Sequence, residues 1–140
     1  LANNEAQFRT ELIKEFRVQG AYAKYISHKM FAGIPDIYVK HPHYPCMWME
    51  LKFATSLGQK LKLTPVQRAE ILSLQTAGDI AGWVICIRPK PGEWVMYASR
   101  NHKAIYATEG ELVCQRKIGT RWGVEKLITT LYAPKPMKRD

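Results

Sequence analysis

The residues of this chain with the clearest capacity for chemistry are Asp36, Glu50 and Lys52. Cys46 to Phe53 reads as a β-strand, with Met47, Met49, Leu51 and Phe53 on one wholly apolar face. Trp48, Glu50 and Lys52 share the other face, so a carboxylate and an ammonium lie side by side in a partly dry place. Charges buried without compensation are costly, which makes this pair a candidate for function. Ile34 to Lys40 reads as the preceding strand, with Ile37 and Val39 pointing one way and Asp36 and Tyr38 the other. A hairpin between the two strands sets Asp36 opposite Glu50 and Lys52. Two carboxylates at one place repel, and a divalent cation relieves that repulsion. Hard oxygen donors favour Mg²⁺, with Mn²⁺ as a substitute, over zinc. Such a cation activates a water and stabilises charge on a phosphodiester, and Lys52 is placed to hold that water or the phosphate.

Composition agrees with a polyanionic substrate. In 140 residues there are 21 Lys+Arg against 12 Asp+Glu, a formal net charge of +9. That excess points to a nucleic acid rather than a neutral metabolite. The length suits one domain, here residues 1–133, followed by a basic tail over 134–140 that is expected to fray. No apolar run is long enough to cross a membrane, and the first residues lack signal-peptide architecture. The three cysteines, Cys46, Cys86 and Cys114, are far apart and form no CxxC pair. They read as reduced, buried thiols of a cytoplasmic protein.

The flanking segments supply a frame for the site. Phe8, Leu12 and Phe16 recur every four residues, so 4–19 is expected to be helical, with Gly20 as its stop. Tyr22 to Ser27 reads as a strand. Pro42 and Pro45 are expected to break the hairpin between the second and third strands. After a lysine-bearing loop, Thr64-Pro65-Val66-Gln67 is a helix start with a capping box and a proline at the first position. That helix should reach Ala77. Ile80 to Ile87 is apolar on both faces and reads as a central strand. Arg88 to Gly92 should turn the chain, Glu93 to Ala98 and Glu111 to Ile118 are further strand candidates, and Val124 to Leu131 is a last helix. The order α-β-β-β-α-β-β, then β-α, predicts an α/β domain with one mixed sheet flanked by helices.

Pro35-Asp36, fourteen positions before Glu50-Leu51-Lys52, resembles the signature of the PD-(D/E)XK nuclease superfamily. Gly33-Ile34 before it and Leu63-Thr64-Pro65-Val66-Gln67 after it look like the VRR-NUC branch, and are also similar to small phage nucleases and Holliday-junction resolvases. The resemblance covers roughly residues 5 to 88 and implies a restriction-endonuclease-like core. It implies that Asp36 and Glu50 ligate a metal, with the Leu51 carbonyl as a further ligand, and that Lys52 positions or activates the attacking water. It implies a glutamate from the first helix. Glu5 is favoured because it shares a face with Phe8 and Leu12, with Glu11 and Glu15 as rivals. It implies that Gln67 orients Lys52 or a water, although the capping box alone explains that residue too. The expected activity is Mg²⁺-dependent hydrolysis of phosphodiester bonds in DNA, structure-selective on branched DNA or a Holliday junction, in phage or prophage replication, recombination or repair. A two-fold symmetric junction would call for a homodimer. The alternative is a nucleic-acid-binding protein on a nuclease fold without turnover.

Lys60, Lys62 and Arg68 follow the Glu50–Lys52 strand with no acid between Phe53 and Ala69, and are expected to contact phosphates. Arg116, Lys117 and Arg121 form a second, less specific basic cluster. His41 and His43, in the proline-rich hairpin, read as solvated rather than metal-binding. Trp48 is expected to pack, although its polar-face position would also allow it to stack on a base.

Overall fold

A computed structural model describes residues 4–26, 32–117 and 119–132. The elements run α1 (Asn4–Val18), β1 (Tyr22–Tyr25), β2 (Ile37–His41), β3 (Tyr44–Ala54), α2 (Pro65–Thr76), β4 (Ile80–Lys90), β5 (Glu93–Ser99), β6 (Glu111–Lys117) and α3 (Glu125–Tyr132), with a 3₁₀ turn at Ala107–Glu109. The six strands form one sheet in sequence order. β3 and β4 are parallel, and every other neighbouring pair is antiparallel. This is the mixed sheet flanked by helices that the element order predicts. The end of the expected first strand at Ser27, the end of the expected sixth at Ile118 and the basic tail 134–140 fall outside the described residues.

α1 is held by its four-residue apolar repeat. Phe8, Leu12 and Phe16 are wholly buried, and each such side chain contributes roughly 1.5–3 kcal/mol by leaving water. They pack with Met47, Met49 and Leu51 of β3, Val84 and Cys86 of β4, and Leu127 and Leu131 of α3. Trp122, just before α3, meets Phe8 edge-to-face at 5.7 Å. α3 approaches the sheet closely at Gly82, where a Cβ would lie 2.7 Å from a Leu131 methyl and 2.4 Å from the Ser99 carbonyl oxygen. The opposite parity of β4, Trp83, Ile85 and Ile87, joins Ala54, Leu61, Leu63, Ala104 and Ala107 in a second cluster. Buried residues run from Ile80 to Ile87, as a strand covered on both faces requires.

The prolines depart from expectation. Only Pro42 and His43 form the turn, since His41 pairs with Tyr44 and Pro45 lies inside β3. Pairing of β3 with β4 begins at Met47 and Ile80, so Pro45 precedes that ladder and its missing N–H costs no bond there. β4 likewise runs on to Lys90 through Pro89, where its register to β5 shifts between Ile87 and Lys90. The cysteines also differ. Cys86 is buried, but Cys46 and Cys114 are half-buried; all three are free thiols. Among the described residues, no helix is long and apolar enough to cross a membrane.

Candidate active site

Asp36 is delivered by a tight turn. Gly33 has φ +84, and a Cβ there would lie 2.7 Å from the Val66 carbonyl oxygen in the first turn of α2. Glycine therefore serves both the left-handed backbone and the close approach. Pro35 is buried. The Asp36 carbonyl accepts from the Ile26 N–H at 2.8 Å, and its carboxylate Oδ2 accepts from the Leu51 N–H at 3.0 Å. Because β2 begins only at Ile37, the Asp36 carboxylate stands in for a ladder acceptor at the end of the hairpin. In an extended strand a residue's N–H and C=O point to the same side. The Leu51 carbonyl is thus turned toward the Asp36 side as well.

Glu50 is 3% exposed and, with Glu15, is one of two buried acids among the described residues. Its partners define its orientation. Gln67 Nε2 donates to Glu50 Oε1 at 2.9 Å, and Lys52 Nζ lies 3.7 Å from the same oxygen. The Gln67 side chain also completes the capping box of α2: its Oε1 accepts from the Thr64 N–H at 3.0 Å, while the Gln67 backbone N–H donates to Thr64 Oγ1 at 3.1 Å. The cap fixes which end of the amide faces Glu50. Only the NH₂ end is left for the carboxylate. Gln67 thus fills the structural role and touches the site with one side chain.

A cleft of about 270 Å³ opens beside Lys52. Glu5 of α1, Gln59, Lys60 and Lys62 line it, over a floor that includes Phe53, Leu61 and Ile85. Its outer wall is a loop pinned to the segment that follows β5, where the Leu61 N–H donates to the Ile105 carbonyl at 2.6 Å and Lys60 bridges Tyr106. Gln59 orders the same loop by accepting from the Thr55 N–H at 2.9 Å. The rival acids on α1 are engaged elsewhere. Glu11 pairs with Arg116 and accepts from the Trp122 indole N–H, and Glu15 accepts two bonds of 2.9 Å from Arg121.

The basic residues divide by location. Lys60 and Lys62 line the cleft. Arg68 does not; it lies on α2 in a separate groove with Leu72, His102 and Lys103. Arg116 and Arg121 brace α1 through the ion pairs just described, and Lys117 is exposed on β6. Both ring nitrogens of His41 are used. Nε2 meets the Gln19 carbonyl at 3.1 Å and Nδ1 accepts from the His43 N–H at 3.1 Å. His41 is half-buried rather than solvated, and His43 is exposed. Trp48 is packed as expected, its indole N–H donating to Asp79 Oδ2 at 2.9 Å. Sequence alone misses Gln59 and the 104–107 segment, because the loop that binds them together has no periodic pattern.

The donors around Asp36 and Glu50 are two carboxylates and a main-chain carbonyl, all hard oxygens. Among the described residues no group of three His, Cys, Asp or Glu side chains is close enough to cage an ion. Mg²⁺ commonly needs only one or two carboxylates, keeping waters and taking substrate phosphate for the rest. The donor set therefore fits such an ion and not a structural zinc site.

No family model matches the sequence, and no curated protein matches it. Among solved structures the chain is similar to Archaeoglobus fulgidus Hjc, a Holliday junction resolvase from an archaeal hyperthermophile, with a TM-score of 0.55 and 14% identity. The match covers 77% of this chain and 95% of the resolvase. The domain therefore has the resolvase, restriction-endonuclease-like fold. The likeness does not single out the VRR-NUC branch.

Proposed function

We propose that this protein is a metal-dependent endodeoxyribonuclease of the PD-(D/E)XK type that cuts branched DNA, with Mg²⁺ as its ion and Mn²⁺ as a substitute. The observation that carries this reading is the convergence of Asp36, Glu50, Lys52 and Gln67 at one end of the β2–β3 hairpin, on a fold similar to that of a Holliday junction resolvase. Asp36, Glu50 and the Leu51 carbonyl would hold the ion, with Glu5 reaching the cleft from α1. When bound, the ion supplies a more acidic water and neutralises charge on the scissile phosphate. Gln67 holds the Glu50 carboxylate in place. Lys52 directs its ammonium at the attacking water or the developing phosphoryl charge. Lys60 and Lys62 grip flanking phosphates. A VRR-NUC ancestry, a phage or prophage recombination setting in the cytoplasm, and a two-fold dimer on a symmetric junction complete this reading.

A second reading is binding without turnover, favoured by the absence of a third caging acid among the described residues. Labelled four-way junction, flap and linear duplex DNAs, incubated with Mg²⁺, Mn²⁺ or EDTA, separate the two. Metal-dependent cleavage of branched DNA supports the nuclease. Salt-sensitive binding with no cleavage in either metal supports the binder.

A further inference from the structure

The sheet face that carries Asp36 and Glu50 continues outward as a row of aromatic and cationic side chains. Register sets Lys24 opposite Tyr38 and Tyr38 opposite Trp48. Directly paired residues share a face, and this row is two residues along each strand from Asp36 and Glu50, a step of about 7 Å. Tyr22 and Lys40 form the next pair outward. The rings touch in series, with Tyr38 and Trp48 centroids 4.7 Å apart and Tyr22 and Tyr38 6.3 Å apart. Lys24 Nζ lies 5.5 Å from the Tyr22 ring centre.

Packing explains only the inner end of this row. Trp48 is anchored by Asp79, but Tyr22 is 55% exposed on the edge strand, and Lys24 and Lys40 are exposed beside it. Rings alternating with cations are what an unpaired nucleic-acid strand recognises: bases stack on the rings and phosphates meet the cations. Duplex DNA buries its base faces within its own stack and offers these rings nothing to bind.

We propose that Tyr22, Tyr38 and Trp48, with Lys24 and Lys40, form a stacking platform for unpaired DNA bases beside the cleavage site. The preferred substrate then carries a single-stranded segment next to the scissile bond. This inference rests on the nuclease reading and narrows its substrate class. Stacking displaces Lys24 from the Tyr22 ring and frees it for a phosphate.

The test is fluorescence anisotropy in EDTA, which prevents metal-dependent cleavage, with three labelled DNAs: a blunt duplex, the same duplex with a single-stranded flap, and that duplex with an abasic flap. The wild type should bind the normal flap at least about fivefold more tightly than either of the others. Tyr22→Ala should remove that advantage and leave blunt-duplex affinity unchanged, and Tyr22→Leu, which keeps an apolar side chain without a ring, should do the same. Equal binding of normal and abasic flaps overturns the platform, as does an advantage that survives both substitutions. A dimer in sedimentation that Tyr22→Ala dissociates would also overturn it, by giving this face to a second copy of the chain. Failure to bind any of the three DNAs overturns the nuclease reading along with it.

Discussion

The amide nitrogen of Gln67 donates to Glu50 Oε1 at 2.9 Å while the amide oxygen of the same side chain accepts from the Thr64 N–H at 3.0 Å. One side chain thereby locks the start of α2 to a buried carboxylate of β3. Gln67→Ala removes both bonds. It should lower stability by about 1 kcal/mol through the lost cap and lower cleavage by about 10–100-fold through a misplaced Glu50. Gln67→Glu keeps an acceptor for Thr64 but sets a second carboxylate against Glu50. Circular dichroism should show α2 retained, with cleavage as low as in Gln67→Ala. A wild-type rate in Gln67→Glu would confine Gln67 to capping.

The three acids of α1 should separate cleanly. Glu5→Gln changes a carboxylate that lines the cleft, so cleavage should fall. Glu11→Gln and Glu15→Gln weaken the pairs with Arg116 and Arg121. Glu11→Gln, whose pair is the more enclosed, should cost about 1–3 kcal/mol in urea unfolding, with cleavage at low temperature kept. An activity loss larger in Glu11→Gln than in Glu5→Gln would move the helix ligand.

Gly33→Ala combines a left-handed backbone with a clash against α2. The backbone term alone is about 1–2 kcal/mol. Gly20→Ala is a matched control, since Gly20 has φ +88 but open space around it. Gly33→Ala should melt lower than Gly20→Ala and lose cleavage, because the turn that delivers Asp36 is displaced. Equal melting temperatures would mean that the turn does not depend on its contact with α2.

Burial pushes the Cys86 thiol well above its ordinary value. Folded Cys86 stays protonated while the unfolded chain's thiol ionises at about pH 8.5, so the native state binds the extra proton. Stability from this group is present below about pH 8.5 and is lost as pH rises beyond it. Native alkylation at pH 8 should therefore label Cys46 and Cys114 but not Cys86, with the third label appearing only in denaturant. Rapid labelling of Cys86 in the native protein would contradict its burial.

Much of this arrangement was legible in the sequence. The alternation of β3 separated Met47, Met49 and Leu51 from Glu50 and Lys52, and the structure keeps that division. The Thr64–Gln67 cap was legible because its signals are local. The three-dimensional choice among Glu5, Glu11 and Glu15 was not, since all lie on one helix and the distinction comes from Arg116 and Arg121, more than a hundred residues later. Arg116 and Arg121 read as a surface cluster for the same reason. Pro45 and Pro89 were misread because a proline breaks a strand only where its N–H is needed, and ladder partners are not visible in sequence.

The proposed role of Lys52, beside Asp36 and Glu50, is in metal-dependent hydrolysis. The most direct measurement compares wild type with Lys52→Ala on a labelled four-way junction, at protein concentrations that saturate binding. The wild type should cleave in Mg²⁺ and not in EDTA. Lys52→Ala should bind within about threefold of wild type, as expected for the loss of one phosphate-range cation, and should not cleave. Cleavage by Lys52→Ala at the wild-type rate, or wild-type cleavage undiminished by EDTA, would contradict the account.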